Sequence, residues 1–390
     1  MKFTVNSNEI LGAINKVISV TPTRSTLPIL SNLYLKLDGK ELTVMGSDLE
    51  VYVNIKISVD GKNDGEVAVP ARKLETLLQN LPDRELNFDL QSGFKLLIKS
   101  KGGKWTITGE EPNDFPMPAE LEASKNVVLQ SGLLTGYLSK AVHAASLDEL
   151  RRSMNGVFFE IKKGEFRVVS TDGHRMVRII KSNFNYDGDK LAMLVPIKTC
   201  NMITKLFRDS AKSSSGEENG ESESKHDDKN TVNITFSNEF LECSYANITI
   251  TSRLIDDTFP NYESVIPTDN EKILSVDKNS LIGSIKRSII MSDQVTNRAS
   301  LEIGSKELKV KAVNNEYGTD SNETIDCNFT ESEEFEIAFN GRYLLEAIQH
   351  FDSKDLIFEL STPLKAAIIR PSEQEKDEEV MMLVMPVRNI

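Results

Sequence analysis

"NSNEILGAINKVISV", residues 6–20, opens on an Asn/Ser capping candidate and then carries apolar residues at three-to-four spacing, the pattern of an amphipathic helix. The pattern returns as "QSGLLTGYLSKAVHAAS" (130–146) and as "DKNSLIGSIKRSIIMS" (277–292). A second element follows each of these: "GEVAVPARKLETLLQNL" (65–81), "KLAMLVPIKTCNMITKLF" (190–207) and "FEIAFNGRYLLEAIQHF" (335–351). In each, a short apolar strand meets a break at Pro70, Pro196 or Asn340, and a second helix begins. Proline suits the first turn of a helix because its missing N–H has no intrahelical partner there. Asn340 instead caps with its side chain.

Between the two helices of each repeat, alternating stretches and the turns at Asp38-Gly39 and Lys163-Gly164 predict antiparallel hairpins. More strands follow the second helix, and the first two repeats close alike on "EPNDFP" (111–116) and "DDTFP" (256–260). A repeat of long period decides the fold before any local motif does. The expectation is an α+β chain of three like-built domains, 1–124, 125–261 and 262–390, each an antiparallel sheet with two helices on one face. Two stretches fall outside the repeat. Residues 208–230 are polar and rich in Ser, Gly and Glu, which predicts a disordered acidic insertion; 371–379 reads as an acidic loop.

Composition narrows the function classes. No apolar run approaches the ~20 residues that a membrane helix needs. The first residues lack an apolar core followed by a small-residue cleavage site, so the sequence predicts a cytoplasmic protein without a membrane partner. The three cysteines, Cys200, Cys243 and Cys327, lie far apart, and the four histidines show no metal-ligand spacing, so neither a disulfide framework nor a metal site is expected. No phosphate-cradling GxxxxGK[ST] loop is present. The expectation is a protein with no cofactor and no catalytic site of its own.

The net charge of −13 hides an uneven distribution. The six helical stretches hold eleven basic residues against Glu9, Glu75 and Glu346, a balance of +8 that leaves −21 on the rest. Helix faces turned away from the sheets should therefore attract phosphates through ion pairing and counterion release, while strands and loops repel them. Little aromatic interleaving occurs on these helices, which favours a duplex backbone over stacked single-strand bases.

"VVSTDGHRM" (168–176) holds residue types fit for acid–base chemistry, and a metal-dependent hydrolase built on Asp48, Asp172 and His174 is the rival reading. The repeat argues against it. "STDGHRM" aligns with "GSDLEVY" of the first repeat and "VNNEYGT" of the third, so Asp48 and Asp172 fall in equivalent turns of different domains. The local expectation is a turn between two strands, with Asp172-Gly173 supplying the special backbone angles.

Over essentially its whole length the chain resembles the bacterial sliding clamp family, the beta subunit of DNA polymerase III. "RSTLPIL" (24–30), "STDGHRM", "DDTFPNY" (256–262) and "LVMPVR" (383–388) carry the resemblance, together with the threefold repeat. It implies a head-to-tail homodimer that closes a six-domain ring around double-stranded DNA without sequence preference. Its partners would be the replicative polymerase subunit, the clamp loader and other proteins bearing a clamp-binding motif. It also implies a peptide pocket lined by Met154, Thr171, Gly173, His174, Arg175, Met176, Pro260, Ser264, Val265, Ala366, Leu383, Val384, Met385, Pro386, Val387 and Arg388, with His174 and Arg175 exposed at its rim. DNA contacts would fall on Arg24, Arg72, Lys73, Arg151, Arg152, Lys198, Lys205, Lys286 and Arg287, and the ring seam would bring Trp105 and Ile107 against Ile290 and Met291. Two positions depart from the family pattern. Arg152 and Ser153 replace a frequent aromatic pair, and Ser264 stands where some relatives carry a basic residue. A scaffold of this fold that no longer binds DNA is the other alternative, and the helix charge argues against it.

Overall fold

Apolar spacing and side-chain caps account for the first helix of the chain. α1 (Ser7–Val17) begins where the Asn6 side chain accepts from the Asn8 amide, and it buries Ile10, Ala13, Ile14 and Val17. A computed structural model of the protein describes residues 1–121, 125–215 and 230–387. Five more α-helices follow among the described residues: α2 (Ala71–Gln79), α3 (Ser131–Ala141), α4 (Ile197–Ser215), α5 (Lys278–Met291) and α6 (Gly341–Gln349). Asp277 caps α5 through the Ser280 amide, and Asn340 caps α6 through the amides of Arg342 and Tyr343. The prolines behave differently from the expectation. Pro70 and Pro196 end the strands Gly65–Pro70 and Leu191–Pro196, one position before the helices start. The proline ring fixes φ but leaves ψ free to stay extended, as at Pro70 (φ −54°, ψ 109°), so the residue suits a strand end as well.

The chain divides into two compact units, residues Met1–Thr135 with Met202–Leu254, and Gly136–Asn201 with Ile255–Ile390. In the first unit a five-stranded sheet has the order Asp60–Asn63, Lys2–Asn6, Glu85–Gln91, Lys95–Ser100, Gly103–Thr108. Phe3 and Phe88 stack across it at 4.7 Å. An eight-stranded sheet follows: Lys125–Gln130, Thr231–Phe236, Phe240–Tyr245, Ile248–Arg253, Val51–Ser58, Glu41–Ser47, Asn32–Asp38, Gly65–Pro70. Ile248–Arg253 pairs antiparallel with Val51–Ser58, so the first and second repeats share one hydrogen-bonded sheet.

The second unit is built on a twelve-stranded sheet. Its order is Leu191–Pro196, Gly156–Lys162, Gly164–Thr171, Arg175–Phe184, Glu378–Val384, Ala367–Pro371, Asp355–Leu360, Lys272–Asp277, Thr319–Phe329, Glu307–Asn314, Arg298–Ile303, Phe335–Asn340. Arg175–Phe184 pairs with Glu378–Val384, joining the second repeat to the third as the first unit joins the first to the second. Among the described residues every ladder is antiparallel, as the hairpin reading requires, and the repeat extends to the side chains. Tyr34 faces Met45 as Phe158 faces Val169, and Phe115 packs on the first pair as Phe259 packs on the second.

Cys200 lies buried in α4, and Cys243 and Cys327 lie buried in strands. α4 continues to Ser215, so residues 208–215 of the expected insertion are helical. Positions 216–229 of that insertion and the 122–124 part of the first domain boundary lie outside the described residues. Among the described residues no helix is long and apolar enough to cross a membrane.

Candidate functional site

The turn between Gly164–Thr171 and Arg175–Phe184 is made by its own polar groups. Asp172 Oδ1 accepts from the amides of His174 (2.8 Å) and Arg175 (3.0 Å), and its Oδ2 accepts from Arg175 Nε at 3.1 Å. The Thr171 hydroxyl donates to the Arg175 carbonyl at 2.7 Å and accepts from the Gly173 amide at 3.1 Å. Gly173 sits at φ +88°, where a side chain is strained. Asp48 repeats the device, accepting from the amides of Glu50 and Val51, and Asn314 accepts from those of Glu316 and Tyr317. Leu49, the counterpart of Gly173, adopts φ +80°. The acid–base look of "STDGHRM" thus comes from turn chemistry, and both Asp172 oxygens are already engaged. Among the described residues no group of three or more His, Cys, Asp or Glu is placed to hold a metal ion.

Arg175 corrects one expectation: its side chain is buried, 9% exposed, and does not stand at an open rim. Its Nη1 pairs with Glu346 of α6, and its guanidinium lies 4.5 Å over the Tyr343 ring. A guanidinium so placed is satisfied by charge, hydrogen bond and ring face together, which offsets its loss of water. His174 is exposed, with its ring centroid 6.2 Å from that of Tyr343, and its carbonyl accepts from the Met385 amide at 2.8 Å. Beneath this network, His143 and His350 stack at 4.5 Å. Burial, with help from His350 and Arg175, holds the His143 imidazole down to about 3.

A cavity of about 550 Å³ opens beside this turn. Of the expected residues, Met154, Thr171, Gly173, Arg175, Met176, Pro260, Ser264, Val265, Ala366, Leu383 and Met385 line it. His174, Val384, Pro386 and Val387 do not. Val384 is fully buried, because the two-residue period of a strand turns it away from the face of Leu383 and Met385. Pro386 bridges to Phe339, and the Val387 amide donates to Ala338 at 2.7 Å. Arg388 lies outside the described residues. The sequence reading missed Asn261, Tyr262, Ile266, Pro267, Thr268, Asp269, Leu364 and Lys365, which complete the wall. The clue available was "VIPTD" (265–269), which begins two residues past the recognised "DDTFPNY" (256–262). Lys365 and Asp269 form an ion pair at this lip. The Tyr262 hydroxyl accepts from Arg167 Nη1 at 3.1 Å, and burial pushes its pKa up, so it stays a neutral phenol.

All nine basic candidates are exposed. Arg24, Arg72, Lys73 and Lys205 belong to the first unit, and Arg151, Arg152, Lys198, Lys286 and Arg287 to the second. Several are already paired. Arg72 meets Glu75 at 3.2 Å and Arg151 meets Asp148 at 3.4 Å, while Arg151 Nη1 also donates to the Asp172 carbonyl at 3.2 Å. Arg287 is held by both oxygens of Glu323. Among the seam candidates, Ile290 is 75% and Met291 38% exposed. Trp105 is half-buried on the edge strand Gly103–Thr108, and Ile107 on the same strand is 8% exposed, packed into its own core.

Three family models match the chain: the N-terminal domain of the DNA polymerase III beta subunit over residues 1–119, the central domain over 128–215 and the C-terminal domain over 263–388. A beta sliding clamp of Pseudomonas putida is 28% identical over 389 residues, covering 100% of both chains. The crystal structure of the DNA polymerase III subunit beta of Pseudomonas aeruginosa is similar at 27% identity, with a TM-score of 0.89 and 100% of both chains covered. A Pseudomonas aeruginosa sliding clamp bound to griselimycin is similar at 28% identity, with the same TM-score and coverage.

Proposed function

The chain belongs to the DNA polymerase III beta subunit family, and from that membership we propose how it works. It acts as a sliding clamp, a non-catalytic processivity factor for DNA synthesis. Two copies meet head to tail and close a ring of six domains, 1–124, 125–261 and 262–390 from each, around duplex DNA in the cytoplasm. A heterologous contact makes a closed ring when its rotation closes and a filament when it does not. The basic helix faces line the hole, where phosphate contacts hold any sequence loosely enough to slide. Linked around the duplex, the protein cannot leave sideways, and it raises the local concentration of whatever enzyme it tethers.

The observation that carries the tethering role is the cavity, apolar at its floor and polar at its lips. Met154, Met176 and Met385 give it adaptable thioether walls, suited to the apolar anchors of several partner peptides. Those partners are the replicative polymerase subunit, the clamp loader and other proteins with a clamp-binding motif. For the seam, Gly103–Thr108 is an edge strand bearing the exposed Lys104. Thr319–Asp326 is paired on one side only and bears the exposed Asp320 and Asp326. Two free edges of opposite charge, with Ile290 and Met291 exposed and the Met291 carbonyl accepting from the Thr319 hydroxyl, suit a heterologous contact. The test is topological. Protein loaded on nicked circular DNA should be lost when the circle is cut, and equal retention on linear DNA would overturn the ring.

A further inference from the structure

Among the basic side chains assigned to DNA, Arg287 is the one gripped by a fork. Its Nε donates to Glu323 Oε1 at 2.7 Å and its Nη2 to Oε2 at 2.6 Å. Parallel bonds of this kind are the strongest ion-pair geometry that arginine makes, and the one it uses on phosphate. The period of the strand Thr319–Phe329 explains why the partner is there. Thr319, Ser321 and Glu323 share the face toward α5, where Thr319 donates to the Met291 carbonyl and Ser321 to the Ser288 hydroxyl. Glu323 is next in that row, opposite Arg287. The guanidinium lowers the carboxyl's pKa, so the acid stays charged. Lys286, the neighbouring residue of α5, has no ion-pair partner among the described residues. Arg287 remains 62% exposed, so a phosphate could reach it if the carboxylate let go.

We infer that Glu323 sets DNA affinity by occupying Arg287, which withholds one phosphate contact that the α5 face would otherwise make. This rests on the reading of α5 as a DNA-facing helix. A clamp that slides must hold the backbone loosely, and an internal carboxylate that competes for the fork lowers the count of phosphates held at any moment. The carboxylate lies on a different element from the helix, so its replacement changes no residue of α5.

The experiment measures binding of the full-length protein to a fluorescein-labelled duplex by anisotropy from 50 to 200 mM salt. Each phosphate contact contributes a slope of about 0.9 in log K against log salt, or about 3.5-fold over that range. Glu323→Gln should steepen the slope by about one contact, and Glu323→Ala should do the same should the amide perturb the strand. Glu323→Gln combined with Arg287→Gln should return to the native slope, and Lys286→Gln should flatten it. Dimer mass by light scattering accompanies each variant. A slope unchanged in both Glu323 variants, with Lys286→Gln flattened, overturns the masking by Glu323 and leaves the DNA-facing helix standing. Slopes unchanged in every variant overturn both.

Discussion

The Met385 amide donates to the His174 carbonyl at 2.8 Å, so the turn after Thr171 and the end of the C-terminal strand form one continuous lip of the cavity. Residues more than two hundred positions apart are thereby held as a unit. Met385 is 42% exposed there, an adaptable apolar side chain lining the cavity.

Truncating this lip should remove peptide binding without opening the dimer. Met385→Ala with His174→Ala is expected to weaken a clamp-binding peptide by at least about 2 kcal/mol, roughly thirtyfold. Calorimetric titration with the peptide checks this, with light scattering to follow the dimer. Native affinity in the double variant would sink the pocket assignment.

The turn itself should be brittle. Gly173→Ala places a Cβ at φ +88° with only Arg151 Nη1 near it, at 3.7 Å. Backbone strain alone should therefore cost about 1–2 kcal/mol. Asp172→Ala leaves two amides and the buried Arg175 Nε without their acceptor, for about 2–3 kcal/mol. Denaturant unfolding measures both, and a Gly173 variant as stable as the native protein would contradict the strain argument.

Acid should destabilise the protein through His143. Its folded pKa of about 3 lies below the ordinary 6.5, so the unfolded chain takes up the proton first. Its contribution is intact above pH 6.5 and is lost as pH falls toward 3. The slope is about 1.4 kcal/mol per pH unit for one proton. His350 is lowered as well, by burial and by Arg175 and Lys140, against the pull of Glu346 and Asp352. His143→Phe, which keeps a ring on His350, should show a shallower loss of Tm between pH 7 and pH 5. An identical pH profile would remove His143 from the account.

The seam should fail when charged. Met291→Asp and Ile290→Asp each place a carboxylate on a side chain now exposed and apolar. Light scattering should then report the 43.6 kDa chain in place of the dimer. A dimer that survives both changes would locate the seam elsewhere.

How much of this was legible beforehand follows from the range of each interaction. Periodicity and capping are local, so the three repeats, the six helical stretches, the antiparallel hairpins and the turns at Asp48 and Asp172 could be read along the chain, whereas the third repeat turns on Asn314, one residue before the Asn315 that aligns with Asp172. Uneven helix charge was equally visible, because it requires only counting. The lining of the cavity was half legible. Met176, Leu383 and Ala366 followed from the family resemblance, whereas Asp269, Leu364 and Lys365 sit in loops with no periodicity to mark them.

The sequence by itself determined the repeating α+β design and the places where side chains fold back on their own backbone. Only the tertiary structure decided which charges are spent. Arg175 is committed to Asp172 and Glu346, Arg287 to Glu323, and His143 to a neutral stack on His350. The physical reason is register. Which side chains meet across strands and helices is set by long-range hydrogen-bond pairing, and a shift of one residue would turn Glu323 away from α5 and leave Arg287 unmasked.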